Sequence, residues 1–371
     1  MSDKVLSISK QKQTTERAYS LDLFRIVSML LIVCLHVIGQ GGILANVPIL
    51  TVKGEMVWFL EIAAYCSVNC FALLSGYLGI HSSHKWKNIV SLATQALFYC
   101  FLFTSIYVSV SLFRQEPLQI GYLLKSMIPA LFGRYWYFSA YFCLFFFMPI
   151  LDRVVNMPKP ILKRAMVVVF VIFCCFTEIK DKVSSLSGGY SFLWLAILYV
   201  IGGYMSQYKP LKKLSPAKSF AGYLICVLVS LSCKMVVSLF IGSNFALISY
   251  TSPTIFLSSL FLLNAFAGVK INSRFRKGIL FFSSCSFGVY LIHCQPVIFD
   301  HLLHGAFSEI VEQNTIVIIV TILVATVGIY LICSIIEYLR QCIFKWLKID
   351  CLVNTISQLI TKVFDKIEGT E

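Results

Sequence analysis

Charge is scarce in this sequence. Only 13% of its residues are Asp, Glu, Lys or Arg, where an ordinary soluble domain carries roughly 25%. No long polar stretch compensates, and mean hydropathy is +0.82. A large water-soluble domain is thereby excluded. Cys-x-x-Cys pairs are also missing, although the chain has 14 cysteines. Most of these sit inside apolar runs, as Cys34, Cys100 and Cys226 do, where free cysteine packs as a small hydrophobe. A disulfide framework and a metal site are therefore not expected. The sequence contains no P-loop, no G-x-S-x-G elbow, no H-E-x-x-H and no dinucleotide fingerprint. It shows no cleavable signal, because the first 20 residues are polar and no small-residue cleavage site follows the first apolar run. No internal repeat is visible, which disfavours the two-halved design of secondary transporters.

What is present is apolar length. Hydrophobic residues make up 58% of the 371 residues. They fall into ten runs, at 21–40, 56–80, 89–112, 134–151, 165–179, 190–207, 219–241, 251–269, 279–303 and 314–341. Most are long enough to cross a bilayer as helices. The expected fold is all-α: a polytopic integral membrane protein of about ten transmembrane helices. It divides into an N-terminal segment, 1–20, a transmembrane domain, 21–341, and a C-terminal tail, 342–371. The segment 118–132 is amphipathic and reads as interfacial or re-entrant.

The net charge of +14 does not point to nucleic acid, because the basic residues occupy short runs between apolar segments. That pattern sets orientation in a lipid bilayer. The N-terminus, alternate loops and the C-terminus hold twenty-three Lys and Arg, whereas the opposite loops hold six: Lys53, Arg114, Lys125, Arg134, Lys180 and Lys182. The positive-inside rule places both termini in the cytoplasm.

Ionisable residues inside a membrane are costly and mark function by default. The first helix carries Asp22, Arg25 and His36. Arg25 and His36 are eleven residues apart, so they return to within about 20° of one face and are separated by roughly 16 Å of rise. Asp22 shares that face. The plainer readings are a snorkelling Arg25 paired with Asp22 and a His36 that bonds a neighbouring helix. Ser75 and Gly76 end the second helix with small residues suited to close packing. Trp136 and Tyr137, in GRYWYFSAYF, form either an interfacial aromatic belt or a platform for a sugar. Tyr290 and His293 lie one turn apart in the ninth helix. Glu61 and Lys234 also lie in apolar surroundings, at depths that allow them to pair.

At these residues the sequence resembles the acyltransferase-3 family of membrane O-acyltransferases. The marks are Arg25 and His36 with ten residues between them, Asp22 in the D-x-x-R context, LSGYL at 74–78, YWYF at 135–138 and SFGVYLIH at 286–293. LSGYL departs from the family pattern in having Tyr77 where Phe is usual. The resemblance implies transfer of an acyl group, commonly acetyl from cytoplasmic acetyl-CoA, to a hydroxyl of a surface or lipid-linked glycan. Succinyl and longer chains remain open. It implies no permanently bound cofactor and a multi-pass protein of the bacterial plasma membrane. Its partners are an acyl-CoA donor, a glycan acceptor and the bilayer, with oligomeric state open. Arg25 and Asp22 would serve the donor. His36 would act as general base or as the site of an acyl-His intermediate. Trp136, Tyr137, Tyr290, His293 and Ser75 would stand on the acceptor side or support the site. The rival reading is a transporter or flippase of glycan or lipid-linked sugar, with the polar stripe as its path.

Overall fold

The computed structural model describes residues 18–118, 120–121, 135–176, 186–242 and 248–368. Every regular element among them is helical. Helix α1 spans Tyr19–Ile38. Helix α2 spans Val52–Gly79 and is interrupted at Cys66 between Val52–Tyr65 and Ser67–Gly79. Then follow α3 (Trp86–Arg114), α4 (Trp136–Val155) and α5 (Lys159–Val169), which continues as a π-helical stretch over Phe170–Phe176. Helices α6 (Phe192–Tyr208), α7 (Pro216–Ile241), α8 (Pro253–Ala267), α9 (Arg276–His293) and α10 (Thr315–Trp346) complete the apolar set. A last helix, α11, covers Ile349–Glu368.

Among the described residues, seven helices have the length and composition to cross a membrane: α1, α2, α3, α4, α7, α9 and α10. The other three hydropathic runs are shorter. Helix α6 has 17 residues, held between the Ser191 cap and Lys209 in a left-handed turn. Helix α8 has 15, between Pro253 in its first turn and Gly268. The α-helical part of α5 has 11. The protein is thus an all-α polytopic membrane protein. Arg134, Lys125, Lys180, Lys182 and nearly all of the amphipathic segment 118–132 lie outside the described residues. The last apolar run goes on to Trp346, and the expected tail forms the amphipathic α11. That helix lies along α3, with Phe364 stacked on Trp86 at 4.7 Å.

Local chemistry sets the helix ends. Thr51, Ser191, Ser215 and Asn314 each accept a hydrogen bond from a backbone N–H in the first turn of the helix that follows. Gly242, at φ +70°, closes α7.

Burial separates an inner from an outer layer. The most apolar window of α2 is 72% buried and that of α1 is 61% buried, against 28% for α3, α4, α7 and α10. Helix α1 packs against α2, α8, α9 and α10, so its polar face looks into protein. The outer helices turn Leu228, Val236, Ile332 and Ile335 outward, toward lipid. Small residues let α2 and α6 touch backbone to backbone. A side chain at Gly76 would strike the Tyr199 backbone, and one at Gly202 would strike the Leu73 carbonyl. This is the small-residue packing expected of Gly76.

One buried carboxylate ties three helices together. Glu337 of α10 is fully buried. It accepts hydrogen bonds from Gln95 (3.0 Å) and Tyr99 (2.8 Å) of α3. Arg340 adds two more, at 2.9 and 2.6 Å, and Gln341 one at 2.9 Å. Gly288 of α9 leaves room for it, since a Cβ there would meet the carboxylate. The loop before α3 is fixed similarly. Asp152 of α4 pairs with His84 at 2.6 Å and accepts from Tyr199 at 2.8 Å.

Removing Glu337 leaves Arg340, Gln95 and Tyr99 without their shared acceptor. Glu337→Ala is expected to lose about 3–5 kcal/mol of stability, and Gly288→Val to be similarly damaging. Thermal unfolding in detergent, followed by the loss of the monodisperse chromatographic peak, reads both. Unfolding midpoints equal to wild type in both variants would show that the network is dispensable.

Candidate active site

The polar stripe of α1 lines a cavity. Arg25, Met29, Ile32, Leu35, His36, Gly39 and Gln40 all face it, at the helical spacing of a single face. Helices α2, α4 and α9 supply the other walls. The volume is about 920 Å³, of the size that holds a small-molecule ligand. A second cavity of about 200 Å³ shares Arg25, Phe71, Ser75 and Tyr141 with the first and reaches Ser82, His84 and Asn88 in and beyond the loop before α3. Arg25 therefore stands where the two cavities meet.

Helices α1 and α9 are cross-linked by polar contacts at two levels. At the first level, Arg25 Nη1 donates to Asp22 Oδ1 at 3.1 Å and to Ser283 Oγ at 2.9 Å. Ser283 Oγ donates in turn to Asp22 Oδ1 at 2.9 Å. The Asp22 side chain is buried, while that of Arg25 stays 32% exposed, so the guanidinium is held yet accessible. The pairing with Asp22 is that of the plainer reading, but Arg25 faces a cavity and is not merely a surface anchor.

At the second level, His36 Nδ1 lies 3.0 Å from His293 Nε2. The other nitrogen of His293, Nδ1, is 2.6 Å from the Val289 carbonyl oxygen. A carbonyl only accepts, so His293 Nδ1 carries a proton. In a neutral ring His293 Nε2 is then an acceptor, and His36 Nδ1 must donate to it. The hydrogen-bond chain thus leaves His36 Nε2 as the ring nitrogen with a free lone pair. His36 is half-buried and lines the cavity, while His293 is buried behind it. Phe299 packs edge-on against the His36 ring at 5.0 Å. The helix–helix bond expected of His36 is present, and it orients the ring toward open space.

The remaining residues singled out in the sequence converge on the same place. Ser75, Trp136, Tyr137 and Tyr290 line the cavity. Ser75 Oγ donates to the Phe71 carbonyl at 2.9 Å. Tyr137 and Tyr290 meet edge to face at 6.3 Å. Asp22 and His293 stand one step behind, bonded to Arg25 and His36. One pairing is corrected. Lys234 bonds Glu55 at 2.6 Å and lies over Trp58. Glu55 is six residues before Glu61 and one turn and a half nearer the start of α2, and it takes the cation that depth alone would have given to Glu61.

Several cavity residues escaped the sequence reading. Tyr65, Tyr190 and Tyr250 join Trp136 at the mouth beyond His36. Tyr190 and Tyr250 come from loops, so no helical period announces them. Ser283 had a usable signal. It precedes His293 by ten residues, nearly the spacing of Arg25 and His36, as two helices running side by side require. Cys294 places Sγ 3.7 Å from His36 Nδ1 and 3.4 Å from His293 Nε2. These three side chains bring ligand atoms within 4.8 Å of one another, a set capable of holding a metal ion, although His36 Nδ1 and His293 Nε2 are already bonded to each other.

Comparison with known families and proteins bears on this geometry. A family model described as an acyltransferase domain, that of acyltransferase-3, matches residues 18–335. Comparisons with curated proteins and with solved structures returned no match. The matched span contains both cross-links between α1 and α9 and every wall of the cavity. With a helical membrane bundle built around that cavity, the chain belongs to the acyltransferase-3 family and is a membrane acyltransferase.

Proposed function

We propose that this protein transfers an acetyl group from cytoplasmic acetyl-CoA to a hydroxyl of a surface or lipid-linked glycan, with His36 as its base. The observation that carries the reading is the shared cavity wall: Arg25 and His36 face one space, about 16 Å apart along α1. The proposed setting is a bacterial plasma membrane, with both termini and the basic loops in the cytoplasm. The uneven distribution of Lys and Arg supports this orientation.

In this scheme the donor enters from the basic end, past Ser82, His84 and Asn88. Arg25 pairs with a phosphate of the donor by charge-assisted hydrogen bonds, while Asp22 and Ser283 keep its guanidinium in place. The pantetheine arm lies along Met29 and Ile32, which brings the thioester to His36. The acceptor hydroxyl approaches from the opposite mouth. His36 Nε2 removes its proton as the oxygen attacks the thioester carbonyl. The tetrahedral intermediate collapses, the C–S bond breaks, and the imidazolium returns the proton to the departing CoA thiolate. His293 touches neither substrate. It is a positioning residue that holds His36 in the tautomer with Nε2 free. An acyl-His36 route would use the same nitrogen as nucleophile.

Purified protein supplied with labelled acetyl-CoA and an alkali-deacetylated surface polysaccharide tests the assignment. His36→Ala should lower kcat by roughly 10²–10⁴-fold while glycan export in cells continues. Full acetylation by His36→Ala would remove the base, and lost export alongside normal acetylation would favour a transporter. Arg25→Ala should raise the KM for acetyl-CoA, with Arg25→Lys intermediate. A KM unchanged in both would detach Arg25 from the donor.

The tautomer argument makes a separate prediction. His293→Gln retains a side-chain carbonyl able to accept from His36 Nδ1, whereas His293→Leu does not. Both should fold, and kcat should fall more in His293→Leu, with the acetyl-CoA KM unchanged in each. Equal kcat in the two variants would show that the hydrogen bond to His36 does not matter.

A further inference from the structure

Glu61 is the one cavity-lining carboxyl on α2, and among the described residues it has no hydrogen-bond or ion-pair partner. It is only 7% exposed and shares the cavity with His36. Its Oε2 is buried without a hydrogen bond, and neither oxygen pairs with any described residue. The neighbouring cation, Lys234, is committed to Glu55 at 2.6 Å. Leaving a carboxyl unsatisfied inside an apolar bundle is costly. A fold does not need this group, so a ligand is the natural partner.

The surroundings define the ligand. Four aromatic rings from four segments gather at the mouth next to Glu61. Trp136 meets Tyr190 at 4.7 Å and stacks on Tyr250 at 6.3 Å, and Tyr250 meets Tyr65 at 5.0 Å. The loops that carry these rings are held firmly. Asn69 donates to the Tyr250 carbonyl at 2.7 Å and accepts from Trp194 Nε1 at 2.9 Å. Tyr250 N–H donates to the Gly188 carbonyl at 3.0 Å. Gly189, at φ +97°, has no Cβ to push Tyr250 away. The result is a rigid apolar wall beside an unpaired acceptor of hydrogen bonds. A pyranose offers the matching chemistry, with a face of C–H groups for the rings and hydroxyls for a carboxyl.

We propose that Glu61 and the Tyr65–Trp136–Tyr190–Tyr250 wall form the acceptor subsite, in which Glu61 binds a hydroxyl of one sugar ring and so turns a neighbouring hydroxyl toward His36 Nε2. This rests on the glycan acyltransferase reading above. It adds a residue that governs the acceptor and not the donor.

The test compares wild type with Glu61→Gln and Glu61→Ala in lipid nanodiscs. The probes are acetyl-CoA and the alkali-deacetylated surface polysaccharide of a strain that expresses the protein. Glu61→Ala should raise the KM for polysaccharide by about three- to tenfold, the worth of one hydrogen bond, and Glu61→Gln by less. The KM for acetyl-CoA should stay within about twofold of wild type. Neither variant should melt below wild type, because a carboxyl kept for a ligand opposes stability. An unchanged polysaccharide KM, or a KM for acetyl-CoA that rises in parallel, overturns the proposal. So does a melting temperature that drops in Glu61→Gln. Quenching of tryptophan fluorescence by the same polysaccharide needs no turnover. It should be seen in wild type and weakened in Glu61→Ala. If wild type binds the polysaccharide but acetylates nothing, the transfer reading fails and the subsite stands. If choline quenches and the polysaccharide does not, the subsite takes an ammonium group and the sugar assignment is wrong.

Discussion

The architecture depends on how the polar face of α1 is satisfied without water. A helix inside a bilayer lowers the cost of its buried polar side chains by pairing them with those of its neighbours. Helix α9 provides them at two heights. Ser283 joins the Asp22–Arg25 pair, and His293 meets His36. Two parallel helices are thereby locked in register as well as in contact. The same bonds that remove the cost of burial also leave one imidazole nitrogen, His36 Nε2, outside the hydrogen-bond chain. Stability and chemistry are drawn here from one set of contacts.

The outer helices respect the same constraint differently. Glu337 collects donors from α3 and from its own helix, and Asp152 collects His84 and Tyr199. Each node includes or adjoins a basic residue, Arg340 or Arg153, and His84 lines the smaller cavity that shares Arg25. Toward the opposite mouth the rings of Trp136, Tyr190 and Tyr250 take over. The cavity thus passes from a polar, networked end to an aromatic one. This gradient suits a donor with an anionic head and an acceptor with apolar faces.

Much of this was legible in the sequence where periodicity carries information. Arg25 and His36 share a face because eleven residues bring a helix back upon itself, and the cavity follows that face through Met29, Ile32 and Gln40. The resemblance to the family placed Trp136, Tyr290 and His293 near the same site, and all three are found there or in contact with it. Contacts made by loops were not legible. Tyr190 and Tyr250 reach the mouth only because Asn69, Gly188 and Gly189 fold two distant loops together. The partner of Lys234 was misplaced because depth gives one coordinate, and the choice between Glu55 and Glu61 depends on rotation about α2. Helix ends resisted for a similar reason. Hydropathy does not register the cap at Ser191 or the first-turn Pro253 that start α6 and α8 late, nor the amphipathic α11 that follows Trp346.

The pair of histidines has one more consequence. The hydrogen-bond chain from His36 runs through His293 and stops at the Val289 carbonyl, an oxygen with no dissociable proton of its own. It is a wire with a dead end. In the proposed reaction, a proton taken up at His36 Nε2 would have no exit by that route and would leave with the thiol product from the same cavity. Hydroxyl and thioester in, ester and thiol out, conserve protons as well as charge. A transfer of the proposed kind would move no net charge along the histidine pair.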